Sequence, residues 1–401
     1  MGYLQGLNNR KWCLKMINKK KGFTLIELIS VLVILAILAL IVTPLVLNII
    51  RNSKESARKR SIDNYGKAIE LAITSYLLDN GKVPTEVSQL NVEYSGYKVE
   101  CGVEVINKDT TLYLDQCKVN NRNVDNYKYG IDKRTAVEVL LYKTNPIEIT
   151  NYDDGNKGEM YTFDHEATVQ TPALIDYRYI GNVPNNYVSF NNGETWRIIG
   201  VFAADDGTGK YEKRIKLIKS NGFGAKWDSN DKYDWSKSTL NSYLNDNYYN
   251  QIFESDRNII DSVIYYLGEN SYESERSRNI IAGASDNWLG KIALIYPSDY
   301  SYTFSLGVED YCFNNILGCN KSNGKNPNNS WIYMLQNGSS YYWTISACVG
   351  YTICNMLPSG SIGMFRGSHN FDAVLPTLYL KPEVKIKQGD GTIDNPYIFE
   401  L

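Results

Sequence analysis

KKKGFTLIELISVLVILAILALIV, residues 19–42, opens with three lysines and then runs almost without polarity into a segment suited to lipid. One acid, Glu27, stands inside the apolar run, four residues after Phe23. Residues 28–42 carry no charge, and Ser30 is the single polar side chain among them. Extension to Leu47 gives about twenty residues, enough to cross a bilayer as a helix. The apolar side chains follow no heptad, as a helix wet by lipid on all sides requires. Pro44 lacks an N–H and its ring clashes one turn back, so a kink is expected there. Membrane helices tolerate that loss. The residues before the run are basic without an acid (Arg10, Lys11, Lys15, Lys19, Lys20, Lys21), like the start of a secretory signal. The run is too long for such a signal and no A-x-A site follows it, so the helix is expected to be retained.

Charge alone leaves the orientation of that helix near a tie, because Arg51, Lys54, Arg58, Lys59 and Arg60 follow it. The cysteines break the tie. Of seven, Cys13 stands alone, and the other six fall in three short-range pairs: Cys101 with Cys117, Cys312 with Cys319, and Cys348 with Cys354. An even number beyond the membrane suits an oxidising compartment and places the large C-terminal part outside the cell. The alternative for these six is buried free thiols.

With 401 residues the chain has room for two or three domains. A net charge of −2 argues against nucleic-acid binding by bulk electrostatics. Tyr is abundant at 32, which suits an extracellular, polar, β-rich protein, although low-GC codon bias gives the same composition. The two histidines, His165 and His369, lie in polar segments without His or Cys at ligand spacing, and read as solvated surface residues. A zinc site or a histidine-based catalytic centre has little to build on. There is no C-x-x-C and no G-x-S-x-G, so no catalytic residue, metal or cofactor is expected. Asp390 and Asp394 have oxygen-rich spacing, but a turn is the better reading than a calcium site.

KKKGFTLIEL, followed by the long apolar helix and Pro44, resembles the cleavage and methylation signature of type IV prepilins and pseudopilins. The resemblance covers about thirty residues. It implies cutting after Gly22 by a membrane prepilin peptidase, which also N-methylates Phe23. It further implies that Glu27 pairs with the new α-amino group of a neighbouring subunit during assembly. An acid in hydrocarbon costs about 2–3 kcal/mol on insertion scales, and pairing with a cation offsets that cost. The competing reading is a glutamate that snorkels to the headgroups.

Beyond the membrane, Ile62, Tyr65, Ile69, Ala72, Ile73, Tyr76 and Leu77 recur at helical spacing, and the segment DNG at 79–81 supplies a stop. Residues 97–105 and 110–117 alternate as strands around an NKD turn, with further strands expected near 126–129 and 136–142. A small antiparallel sheet on the helix resembles the pilin head, with residues 51–145 forming this module. Residues 146–176 read as a linker. The remainder, 177–401, resembles the C-type-lectin-like domains of bacterial surface proteins, akin to the formylglycine-generating fold. The residues carrying this are WRIIG at 196–200, YDWSKSTLNSYLN at 233–245, WTIS at 343–346 and VLPTLYLKP at 374–382. The calcium and sugar motifs of lectins are absent. Trp196, Trp235 and Trp343 sit beside apolar residues and read as core. Trp227, Trp288 and Trp331 lie among Asn, Asp and Gly and are the expected place for a ligand surface, with core packing as the alternative.

The expected fold class is therefore α+β: a long N-terminal transmembrane helix, a small antiparallel β head, then a larger mixed α/β lectin-like domain. The expected divisions are a leader at 1–22, an assembly helix at 23–50, and the modules above. The expected function is a pilin-like subunit with a large extracellular head. Its partners would be the prepilin peptidase, other subunits, the cytoplasmic membrane, and a carbohydrate or protein ligand of the head. The alternative is an anchored lectin-like protein or surface enzyme that never assembles.

Overall fold

A computed structural model describes residues 24–148, 159–304, 330–335, 340–348 and 351–401. Gly22, Phe23, Cys312 and Cys319 lie outside the described residues. The chain divides into two units, the first ending at Lys133 and the second beginning at Arg134.

The first unit is organised by helix α1 (Leu25–Asn80), 56 residues long. Thr24 caps its start, and Gly81, at φ 67°, ends it with its N–H on the Leu77 carbonyl. The helix runs unbroken through Pro44. Every residue from 25 to 50 is exposed. The composition then changes, and so does the surroundings of the helix: Ile62, Ile69 and Ile73 are fully buried. They face β1 (Val99–Ile106) and β2 (Leu112–Val119), which form an antiparallel sheet with the short β3 (Arg122–Asn123). Val99, Leu112, Leu114, Cys117 and Val119 complete the core. Cys101 and Cys117 are opposed in register and joined as a disulfide. Asn120 (φ 49°) and Asn121 (φ 62°) turn β2 into β3, the left-handed pair that a two-residue hairpin needs.

Three tyrosines fasten the sheet side to α1. Tyr65 donates to Glu104 (3.0 Å), Tyr127 to Asp63 (2.6 Å) and Tyr129 to Glu70 (2.9 Å). The Asp63 carboxylate, more than partial burial, pushes the Tyr127 phenol up to about 12. The Tyr129 ring lies flat against Gly66, where an added Cβ would come within 2.6 Å of ring carbons.

The second unit starts with α2 (Ala136–Thr144), which corrects the strand expected at 136–142 and the module boundary at 145. Thr135 and Glu138 form a capping box, and Ala136, Val137, Val139 and Leu140 are buried at helical spacing. The segment expected as a linker, 146–176, contains strands among its described residues. It contributes β4 (Ile147–Glu148), β5 (Met160–His165) and the start of β6 (Leu174–Tyr179). These join β7 (Tyr187–Phe190), β8 (Glu194–Asp205) and β9 (Tyr211–Lys219), the long hairpin at the centre of an eight-stranded sheet.

After β10 (Phe223–Lys226) comes a helical stretch capped by Ser238, with a π-helical turn at Tyr243–Tyr248. β11 (Val263–Tyr266) pairs with β12 (Asn287–Gly290), and β13 (Ile292–Leu294) takes one edge of the large sheet. β14 (Tyr342–Cys348), β15 (Thr352–Met356), β16 (Ile362–Arg366) and β17 (Phe371–Val374) form a second sheet with β10, in the order β10-β17-β14-β15-β16. β18 (Pro376–Tyr379) returns to the large sheet between β13 and β9, and β19 (Lys385–Gln388) pairs with β20 (Ile398–Glu400). Trp196, Trp235 and Trp343 are buried in the shared core. Cys348 and Cys354 bridge the β14–β15 turn.

Gly66→Ala should destabilise the first unit by about 1–3 kcal/mol, because the methyl group must displace a packed ring. Thermal unfolding measures this. Combining Gly66→Ala with Tyr129→Ala should recover part of the loss if ring contact is the cause.

Candidate functional site

The first turn of α1 places Glu27 at the third helical position after its cap. Glu27 N donates to Thr24 Oγ1 at 3.3 Å, while Glu27 Oε2 accepts from Thr24 N and Thr24 Oγ1, both at 2.8 Å. Two otherwise unpaired amides are thereby satisfied, and the negative charge sits at the favourable end of the helix dipole. The carboxylate therefore has a partner within its own chain, which the reading of Glu27 as an intersubunit acid had not supplied. The signal was present as T-x-x-E at 24–27. Gly22 and Phe23, the expected cleavage and methylation positions, lie beyond the described residues. Around Glu27 the helix exposes only apolar surface: Ile26, Leu28, Val31 and Leu32 are each about half exposed or more. Ser30 and Thr43 turn their hydroxyls back onto the Ile26 and Ala39 carbonyls, so neither offers a free polar group to lipid.

Of the three tryptophans named for a ligand surface, Trp227 and Trp331 take the alternative, core packing. Trp227 is fully buried and donates its indole N–H to the Thr344 carbonyl at 3.1 Å. Trp331 is buried and donates to the Tyr179 carbonyl at 3.0 Å. Trp288 is half-buried, edge-on to Trp235 and tilted over Tyr265. One polar neighbour of Trp227 is itself inside. Asp228 is fully buried, its carboxylate accepting from the amides of Asn230, Lys232 and Thr239.

His165 is also a correction: it is buried, stacked on Tyr272 at a centroid distance of 3.4 Å, with Nε2 3.3 Å from Asp176 Oδ2. It belongs to a cluster of buried charges that the sequence reading missed. Arg178 bridges Asp176 (3.0 Å) and Asp299 (2.9 Å), and Lys216 takes the other oxygen of Asp299. Beside them Glu275 accepts from Ser298 N (2.8 Å) and Oγ (2.6 Å) and lies 3.2 Å from Arg276. Burial alone would raise the Asp176 carboxyl, but His165 and Arg178 outweigh it and hold it near 2. For Glu275 burial wins, and its carboxyl is pushed up to about 7. Burial likewise lowers His165. His369, by contrast, is exposed, with Nδ1 2.6 Å from Asp231.

Among the described residues no three His, Cys, Asp or Glu side chains are grouped to hold a metal. Asp390 closes a turn, its Oδ1 accepting from Thr392 N and Oγ1. Of the expected bridges, Cys101–Cys117 and Cys348–Cys354 are formed.

Comparison with known proteins bears on the N-terminal part. The family model described as the prokaryotic N-terminal methylation motif matches residues 17–43. The chain is similar to type II secretion system core protein G of Klebsiella pneumoniae, 34% identical over 82 residues, covering 20% of this chain and 56% of the relative. The protein of the same name from Vibrio cholerae is 38% identical over 72 residues, covering 18% and 47%. That of Escherichia coli is 35% identical over 68 residues, covering 17% and 44%. The chain thus spans about half the length of the curated relatives it matches. No solved structure matches it.

The raised Glu275 carboxyl has a defined consequence for stability. Between the ordinary value of 4.5 and about 7, the folded state keeps a proton that the unfolded state has released. Stability must fall across that window, by at most about 3 kcal/mol. His165 acts in the opposite sense, since its lowered value makes stability rise with pH up to about 6.5. The difference between wild type and Glu275→Gln isolates the first effect. Denaturant unfolding from pH 4.5 to 8 should show the variant gaining on wild type as pH rises.

Proposed function

We propose that this protein is a pilin-like subunit of the pseudopilin kind, cut after Gly22, N-methylated at Phe23 and assembled through the first half of α1. The observation that carries the reading is the methylation-motif match over residues 17–43 lying directly on a lipid-length apolar helix with one acid in it. A plain anchor would use Glu27 only as a helix cap. In the separate chain its carboxylate is held by Thr24. In a filament the α-amino group of a neighbouring Phe23 would add the positive charge that a lipid environment lacks. The energetic gain then appears only when subunits pack in the correct stagger.

The disulfides Cys101–Cys117 and Cys348–Cys354 support placing both units outside the cytoplasmic membrane. The second unit is read as the displayed head, structural or ligand-binding rather than enzymatic. Its lectin-like reading is supported by the position of the strings that carry it: WRIIG lies in β8 and WTIS in β14, interior strands of the two larger sheets. For its ligand surface, the tryptophans give way to a cleft of about 440 Å³ beside β10 and β17. Phe371 is 69% exposed there, next to Asp372, Asn221 and Tyr341. An exposed aromatic face beside an amide group suits a carbohydrate or a peptide.

Intact-mass measurement of protein from its host tests the processing. Loss of residues 1–22 and gain of one methyl group is expected, and an unprocessed N-terminus would sink the proposal. Glu27→Ala should leave cleavage largely intact and block incorporation into filaments.

A further inference from the structure

Five basic residues, Arg51, Lys54, Arg58, Lys59 and Arg60, follow the lipid-length half of α1. Basic residues at the translocated end oppose the usual charge asymmetry of a membrane span, so their presence there calls for a specific use. Lys59 has one, an ion pair with Glu55 at 3.0 Å. Lys54 and Arg58 have no acidic partner within ion-pair distance among the described residues, and neither has Arg122.

These three cations line one cavity of about 270 Å³. Lys54 and Arg58 stand four residues apart on the same face of α1. Arg122 reaches the cavity from the Asn120–Asn121 turn, which is anchored by the Asn120 N–H on the Lys98 carbonyl at 2.9 Å. Buried Val119 contributes apolar lining, and Tyr97, 54% exposed, stands at the wall. A tyrosine beside lysine and arginine is the usual furniture of a membrane–water interface.

Lys54 lies at the depth of that interface, and Arg58 one turn above it. At about 1.5 Å per residue, Lys54 lies about 6 Å beyond Ile50 and Arg58 about 12 Å beyond it. Headgroups extend about 5–7 Å past the hydrocarbon on each side. Helical side chains lean toward the N-terminus, which here means toward the bilayer, and long basic side chains close the remaining distance.

We propose that this cavity holds the phosphate of an anionic phospholipid from the adjoining leaflet, clamped by Lys54, Arg58 and Arg122. A phosphodiester needs several cationic donors, and three line this cavity without a protein carboxylate among its lining residues. The occupant is lipid rather than an acidic side chain of another copy because the membrane-side wall of the cavity, at Lys54, lies at headgroup depth. The inference rests on insertion of α1 in a bilayer, and on neither processing nor assembly.

The test uses the full chain in vesicles of phosphatidylglycerol and phosphatidylcholine, without peptidase or partner subunits. Spin-labelled forms of each lipid report, by electron paramagnetic resonance, which is held at the protein. Wild type should favour phosphatidylglycerol by about five-fold or more, given the known attraction of single basic residues to anionic surfaces. Lys54→Gln/Arg58→Gln/Arg122→Gln should lose that preference, and Lys67→Gln, on the exposed side of the same helix, should keep it. An intact Cys101–Cys117 bridge and unchanged circular dichroism establish that the triple variant is folded. Equal selectivity in wild type and triple variant would overturn the proposal. So would displacement of the labelled lipid by soluble glycerol phosphate, or loss of self-association in the variant with lipid selectivity unchanged. The last result would assign the cavity to a second copy of the chain.

Discussion

A backbone amide in hydrocarbon has no water to bond, so residues 25–50 can cross lipid only as a helix with its bonds closed internally. That constraint sets the rest of the first unit. A helix already formed in the membrane continues at little cost, because propagation needs no new nucleus. α1 therefore extends to Asn80 and carries its direction into water. Its two halves meet different solvents and differ accordingly. The first half buries nothing, while the second concentrates Ile62, Gly66, Ile69 and Ile73 on one stripe under a sheet. The caps follow the same division. Thr24 and Glu27 satisfy amides at the lipid end, and Gly81 turns the chain away at the other.

The second unit depends on a different balance. Asp176, Arg178, Lys216, Glu275, Arg276 and Asp299 are all removed from water. Each buried ion loses several kcal/mol of solvation, recovered only where partners are close and well aimed. Arg178 meets two carboxylates, and Asp299 meets both Arg178 and Lys216. The charges come from β6, β9 and the short helices Tyr272–Glu275 and Pro297–Ser301, so the cluster fixes how these segments pack. Hydrophobic contact alone would tolerate sliding between them, whereas a displaced ion would be stranded in the core.

This balance also explains what could be read from the sequence and what could not. The continuation of the membrane helix and the strands at 99–106 and 112–119 announce themselves by period, because one apolar face leaves a regular trace, while the membrane helix and β8 show as unbroken apolar runs. Elements with charges facing inward leave none. β5 and the start of β6 read as linker because His165 and Asp176 look like surface residues until they face each other and Arg178, whose second partner, Asp299, lies 121 positions on. Trp227 could be read either way because Asp228 beside it looks solvated, yet its carboxylate accepts from the amides of Asn230, Lys232 and Thr239. α2 was legible, since Thr135 and Glu138 spell a capping box, but the apolar run after it suits a strand equally well. Glu27 was recognised as significant by its chemistry, while its bond to Thr24 emerged only from the helix start.

The tyrosine bonds on α1 bear on how force would travel through the first unit. Tyr65, Tyr127 and Tyr129 link helix and sheet side at positions 63, 65 and 70, spread along nearly two turns. A pull directed along the helix axis loads these three attachments side by side, together with the ring of Tyr129 seated over Gly66. Bonds loaded in parallel share tension and must give way together, whereas bonds peeled in sequence fail one at a time. The first unit is thus fastened to its helix as a shear joint, suited to a chain held at one end by a membrane or a neighbour.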